Sequence, residues 1–167
     1  MKYNEACHII SIMMDQEKQT PIVIAVNISP GGIPKRSIDV AHITEDGIVG
    51  DQHEHPKHIK PTRALSLLDS EILEKLTQEG YEVSPGALGE NITVRHLQIQ
   101  NLAPKTRLSF SGGVVIELVE PRKPCFVLGA IHPALEKETI GRIGYMALVV
   151  TEGTMRAGET ITPLPPL

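Results

Sequence analysis

The sequence predicts a mainly-β domain, closed into a barrel and carrying two or three short helices. Three observations lead there. Fourteen glycines and 13 prolines make up 27 of the 167 residues, about 16% where average usage gives roughly 12%, so the chain turns often and its elements are short. Runs of β-branched and aliphatic residues of strand length recur along it, separated by Gly, Pro, Asn and Asp. The alternation of strands and helices that a doubly wound sheet needs is absent, and many short strands with interspersed turns argue for a barrel.

The elements follow in order. Residues 1–19 read as an N-terminal extension: Ala6, Ile9, Ile10, Met13 and Met14 recur at spacings of three and four, the pattern of a short amphipathic helix. Such a face suits a docking arm or a contact between two copies of the chain. Residues 20–167 read as one barrel domain. Pro21–Ile28 is almost continuously apolar and β-branched, like a strand covered on both faces. Gly31, Gly32 and Pro34 end it. Asp39–Thr44 is a further strand, closed by the Asp46-Gly47 turn. Residues 50–62 are polar, rich in His and Pro, and read as loop. Ala64–Leu68 is extended. A helix follows, with Ser70 as its cap, Ile72, Leu73 and Leu76 as its buried stripe, and Gly80 as its stop. Strands are expected at Asn91–Arg95, Arg107–Ser111 and Val114–Val119, the last two joined through Gly112-Gly113 as a hairpin. Pro121 and Pro124 hold an irregular segment around Cys125. Pro133–Thr139 suits a short helix, Tyr145–Thr151 another strand, and a final hairpin reaches Thr162.

Composition narrows the function classes. Sixteen basic and 20 acidic side chains leave a net charge of −4, the wrong sign for a protein that lives by neutralising nucleic-acid phosphates. Aromatic residues at 3% and the absence of Trp argue against a stacking platform for single strands. Two cysteines, Cys7 and Cys125, cannot make a disulfide framework. No secretion signal is expected at the N-terminus and no apolar run approaches a membrane span, so a soluble, cytoplasmic protein with reduced thiols is expected.

Chemistry is expected first at Cys125, in Glu120-Pro-Arg-Lys-Pro-Cys125. Two cations immediately before a thiol favour the thiolate, the form that attacks electrophiles and binds soft metals. The prolines stiffen the loop that presents it. Taken alone, the residue is equally compatible with a buried, inert thiol. His53, His55 and His58, with Asp51 and Glu54 beside them, are an inventory for a divalent metal, or for a solvated loop in which an imidazole donates a proton or meets an anion. The turns Ser29–Lys35 and Gly86–Asn91 would let backbone N–H groups approach an oxygen-rich ligand, although neither matches a phosphate-binding loop. Lys35, Arg36, Arg63, Arg122, Lys123 and Arg142 stand beside these turns and would mark an anionic pocket.

Read together and in order, these segments resemble one family, the MOSC domain, found at the C-terminus of molybdenum cofactor sulfurases and as small stand-alone bacterial proteins. The resemblance is carried by Gly31–Lys35, Gly47–His53, Arg63–Asp69, Gly86–Ile92, Glu120–Cys125, Gly141–Tyr145 and Glu152–Glu159. It implies a closed β-barrel of the kind seen in the small domain of pyruvate kinase, with a cleft for the molybdenum cofactor in an unspecified pterin form. By the same resemblance Cys125 would ligate molybdenum. Lys35, Arg63, Glu90, Asn91, Arg122, Lys123 and Arg142 would hold the cofactor, and Asp51 and His53 would either support those groups from behind or deliver protons. Thr154 and Glu159 depart from the family pattern, as does the length of the His-rich loop. Two functions follow as expectations. One is two-electron reduction of N-hydroxylated or related small substrates by a Cys-ligated molybdenum, with electrons from a separate transfer protein. The other is a non-redox carrier of molybdopterin or sulfur, receiving sulfur on Cys125 as a persulfide from a cysteine desulfurase.

Overall fold

The computed structural model describes residues 19–52 and 61–166. The amphipathic start, Cys7 and the three clustered histidines therefore lie outside the described residues. Within them the chain forms strands β1 (Ile22–Ile28), β2 (Arg36–Ile38), β3 (Ala41–Thr44), β4 (Gly47–Ile48) and β5 (Leu65–Asp69), then helix α1 (Ser70–Gln78). Next come β6 (Ile92–Arg95), β7 (Arg107–Phe110), β8 (Val115–Pro121), helix α2 (Leu135–Glu138), β9 (Tyr145–Thr151), β10 (Gly153–Met155) and β11 (Ile161–Leu164). Most expected strands appear within a residue or two of their places. Asp69, rather than Ser70, stands at the cap position of α1, with Ser70 its first residue.

The mainly-β expectation holds, but the closed barrel does not form. Eight strands make an open sheet in the order β11-β7-β8-β9-β5-β6-β1-β2, and a separate three-stranded sheet runs β10-β3-β4. The reason lies in β1. One of its edges pairs with β6, and β2 takes the other over Val26–Ile28. Only the start of β1 is left to meet the chain entering β11, through an isolated Ile22–Thr160 bridge and bonds such as Val23 N to Glu159 O at 2.9 Å. That contact falls short of a ladder. The final hairpin is also replaced: β10 pairs with β3 and β11 with β7, so the two strands belong to different sheets. Pro163 is tolerated because β11 is an edge strand. The hairpin through Gly112-Gly113 does form, joining β7 to β8.

One feature was not expected. Strands β5 and β6 run parallel, with Leu67 opposite Ile92 and Asp69 opposite Val94, and α1 crosses between them. Parallel neighbours require such a crossover. The crossover creates a second apolar core beside that of the sheet: Leu68, Leu73, Leu76, Leu88, Leu128, Leu135 and Ile143 pack together. Leu88 comes from the Gly86–Asn91 turn and Leu128 from the segment just after Cys125. Burying both leucines, each worth about 1.5–3 kcal/mol in removed apolar surface, pins the two irregular segments that carry the candidate site.

Candidate functional site

Those two segments, the Gly31–Lys35 turn and the ends of β8 and β9 surround a cavity of about 250 Å³. Lys35, Arg63, Asn91, Arg122, Lys123 and Cys125 all line it. Each was singled out in the sequence, and the fold brings them together from positions up to 90 residues apart. No Asp or Glu among the described residues lines the cavity, so its electrostatics are set by cations.

Arg122 is the most telling of these. It follows the last residue of β8, and its backbone N–H donates to Gly144 O at 2.8 Å, which fixes the corner. Its side chain turns inward, and Nη2 donates to Leu88 O at 2.6 Å. Nη1 is buried and has no hydrogen-bond partner among the described residues. Burial pulls its pKa below the usual arginine value, opposed by the nearby charges of Glu90 and Cys125. Arg122 lines the cavity, and a buried guanidinium N–H without a partner is costly.

Lys35 is equally withdrawn, with its side chain 9% exposed and its ammonium paired to Asp51. Burial lowers its pKa, while the Asp51 hydrogen bond and charge act in the opposite sense. Asp51 does not line the cavity itself. Its Oδ1 accepts from Ser29 N at 2.9 Å, and its Oδ2 accepts from Asn91 Nδ2 at 2.7 Å as well as from Lys35. Asn91 is committed on both sides, since its Oδ1 accepts from Ser66 Oγ at 3.1 Å and Ser66 N at 3.2 Å. Asp51, Asn91 and Ser66 thus form a strut that holds the Lys35 ammonium at the wall.

Glu90 sits behind the cavity, fully buried. Its Oε1 accepts from Gly86 N at 2.6 Å and from Thr93 Oγ1 at 2.9 Å, and Oε2 has no partner among the described residues. Burial raises its pKa against those hydrogen bonds and the charge of Arg122. Gly89, next to it, needs to be glycine on two counts. Its φ is +84°, and a Cβ there would lie 2.8 Å from Ile33 Cγ2 and 3.2 Å from Arg122 Nη2.

The remaining expected residues are placed less centrally. Arg63 is at the rim, 43% exposed, with Nη2 donating to Glu120 Oε1 at 2.7 Å. Lys123 lines the mouth and is exposed. Arg142 is elsewhere. Its guanidinium donates twice to Glu79, at 2.6 and 2.8 Å, and its Nε donates to Glu138 O at 2.6 Å. His53 lies outside the described residues, and among those described no group of three or more His, Cys, Asp or Glu is arranged to hold a metal. Residues that the sequence did not single out also line the cavity, notably Ser66, Phe126, Val127 and Met146. The one available signal was Phe126, a large apolar residue inside an irregular, proline-bounded segment.

The fold is mainly β, and its cavity is lined by one cysteine and four basic side chains, Lys35, Arg63, Arg122 and Lys123. The MOSC domain family matches residues 54–162, and the chain belongs to that family. A protein named "Reductase" from Gibberella moniliformis is 30% identical over 128 residues, covering 71% of this chain; the chain spans only 22% of that protein's length. Among solved structures, the YuaD protein of Bacillus subtilis matches with a TM-score of 0.73 at 19% identity, over 86% of this chain and 94% of its own. YiiM of Escherichia coli matches at 0.70 and 20% identity, over 89% and 71% of the two chains. These likenesses bear on the fold. Among the described residues, no helix is long and apolar enough to cross a membrane.

Proposed function

We propose that this MOSC protein binds a molybdenum cofactor in the cavity and reduces N-hydroxylated or related small molecules, using an external electron-transfer protein. The observation that carries the reading is the meeting, on one cavity with no acidic lining among the described residues, of Cys125 with the basic side chains of Lys35, Arg63, Arg122 and Lys123. The donor set fits the group: a soft sulfur for a soft metal, and buried or half-buried cations for a phosphate. Arg122 and Lys35 would hold the anionic end, with Arg63 and Lys123 closing the mouth, and Cys125 would take a position on the metal. When bound, the cofactor would supply the two-electron chemistry.

The chain's own contribution is positioning and protons. Asp51 and Asn91 fix Lys35, Leu88 O orients Arg122, and Glu90 braces the turn that carries Leu88 and Gly89. Reduction of an N-hydroxylated compound takes up two electrons and two protons and releases the reduced nitrogen compound and water. Lys35 Nζ is a proton-bearing group on the wall, with Asp51 beside it as relay, and His53 follows Asp51 by two residues. The relative named a reductase supports redox chemistry over simple carriage. A reducing compartment, the cytoplasm, would keep Cys125 as a thiol.

The test is the metal and pterin content of the freshly purified full chain, made in a host that synthesises the cofactor, beside Cys125→Ser. Wild type should carry molybdenum and reduce benzamidoxime when given a reductase, and the variant should lose both. Protein without molybdenum that gains one sulfur on Cys125 from a cysteine desulfurase would establish the carrier function instead.

A further inference from the structure

Behind the cavity wall lies a charge that its own hydrogen bonds do not require. Glu90 is fully buried and belongs to the same turn as Gly86 and Leu88. Its Oε1 accepts from Gly86 N and Thr93 Oγ1, and an amide oxygen would serve those two donors as well. What an amide would not supply is the negative charge. Gly86 O accepts from Lys35 N at 2.9 Å, and Leu88 O accepts from Arg122 Nη2. The turn that carries Glu90 therefore holds Lys35 at one point and Arg122 at another. The Glu90 charge favours the protonated forms of both cations. Lys35 and Arg122 line the cavity, and Glu90 does not.

We propose that the cavity takes up its anion together with a proton: Glu90 is the buried countercharge of Arg122 and Lys35, and it is neutralised from solvent when an anion assumes that part. This rests on the reading of the cavity as an anion site. An anion at Arg122 and Lys35 places a second negative charge on cations that Glu90 already serves, and two like charges sharing partners disfavour the ionised form of one. Burial raises the Glu90 pKa, against the bonds from Gly86 and Thr93 and the charge of Arg122. An anion that competes for Arg122 removes part of that opposition, so the pKa rises further on binding. The coupling is reciprocal: protonation of Glu90 strengthens anion binding by the same factor. Affinity is then greatest at low pH and falls as pH rises through the Glu90 range. Other groups share these charges. Asp51 pairs with Lys35, the Lys35 ammonium itself titrates, and Cys125 acts on Arg122; Thr93 and Asn27 touch Glu90 without bringing a charge. What Asp51, Lys35 and Cys125 add to the pH dependence persists when Glu90 is made neutral, which separates them from it.

The experiment titrates the full chain with sulfate, whose charge is constant over the range, by calorimetry from about pH 5 to about pH 9. Buffers of different ionisation enthalpy count the protons taken up with the anion. Wild type should bind sulfate roughly tenfold more tightly at the acid end, an ordinary size for a coupling between two groups, and should take up protons as it binds. Glu90→Gln keeps the acceptor for Gly86 and Thr93. It should bind at least as tightly as wild type does at the acid end and lose the Glu90 share of the pH dependence and of the uptake. Thr93→Val removes a donor that favours the carboxylate. It should move the profile up by about one pH unit, the worth of one hydrogen bond to a charged group, a shift that a merely structural part for Glu90 would not produce. A profile shared by wild type and Glu90→Gln, weaker binding in Glu90→Gln at every pH, or no sulfate binding by wild type overturns the proposal. If the chain carries molybdenum and reduces benzamidoxime while Glu90→Gln leaves the profile untouched, the proton coupling falls and the reductase reading stands. If it carries no molybdenum yet the Glu90-dependent profile is measured, the reductase reading falls and the coupling stands.

Discussion

Arg122 and Arg142 occupy similar corners. Each follows a Pro- or Gly-bearing turn, and each has its backbone N–H bonded to a neighbouring carbonyl. Yet Arg142 gives both terminal nitrogens to the exposed carboxylate of Glu79, whereas Arg122 keeps a buried Nη1 without a partner among the described residues. Its carboxylate neighbour, Glu90, gives Oε1 to Gly86 N and Thr93, and its Oε2 is likewise without a hydrogen-bond partner among the described residues. The contrast separates a guanidinium whose donors the fold pairs with a carboxylate from one that donates to Leu88 O and keeps another buried N–H without a partner among the described residues. On the proposed function the second is the one that would hold an anion, because a buried N–H without a partner gains from an acceptor that the first already has.

The sharpest break of that comparison is to neutralise each arginine. Arg122→Gln should weaken retention of the cofactor, or of inorganic phosphate as a simpler probe, by about 10- to 100-fold, the range of a lost charge-assisted hydrogen bond. Arg142→Gln should leave retention unchanged and cost under about 1 kcal/mol of stability, as for other exposed pairs. Pterin content and phosphate titration check the first statement, and thermal unfolding in low and high salt checks the second. Equal losses in the two variants would dissolve the distinction.

A buried charge with an unsatisfied atom is not by itself a ligand site, and Asp69 shows why. Its Oδ2 accepts from Ile99 N at 2.7 Å, and its Oδ1 is buried with no partner among the described residues. But Asp69 is not on the cavity, so its unmet demand should appear in stability alone. Burial raises its pKa from 3.8 to about 6, against the Ile99 hydrogen bond. The folded state therefore prefers the protonated carboxyl. That contribution is fully present below the unfolded value near 3.8 and is lost as pH rises through about 6. Asp69→Asn, which keeps a neutral side chain and an acceptor for Ile99, should stabilise the protein above pH 6 by up to about 3 kcal/mol and change little below pH 4. Denaturant unfolding at pH 4 and 7 measures this, with cofactor content unaltered. Loss of cofactor in Asp69→Asn would link the two sites.

The same contrast marks what the sequence could disclose. Strand positions were legible because β-branched runs end at Gly and Pro, which act locally: β9 lies at Tyr145–Thr151 as read. The site was legible to the extent that its charges stand next to turns, so Lys35, Arg63, Asn91, Arg122, Lys123 and Cys125 meet at one cavity. Closure was not legible, since whether β1 meets β11 as a ladder depends on β2 taking Val26–Ile28 first, a competition between distant segments. Nor was the fate of Arg142, because Glu79 lies 63 residues away and only the fold brings them together. The parallel β5–β6 pair was missed for a related reason: a single crossover helix does not produce the repeated alternation that announces parallel sheets.

Glycine offers the finest version of the comparison, since Gly89 adjoins Arg122 in space and Gly141 adjoins Arg142 in sequence. Both have positive φ, +84° and +75°, so an alanine at either costs about 1–2 kcal/mol in backbone conformation. A Cβ at Gly141 would meet nothing within 4 Å, and Gly141→Ala should show that cost and no more. At Gly89 the added methyl group also has to displace Ile33 and crowd the Arg122 guanidinium, which should bring the loss to about 2–3 kcal/mol. It should also weaken phosphate binding several-fold, whereas Gly141→Ala leaves binding intact. The two variants thus share the backbone penalty, and whatever Gly89→Ala loses beyond it reports how tightly the turn is fitted around Arg122. Equal stability and equal phosphate affinity in the pair would mean that the guanidinium yields freely, and the wall it forms would then be too loose to orient an anion.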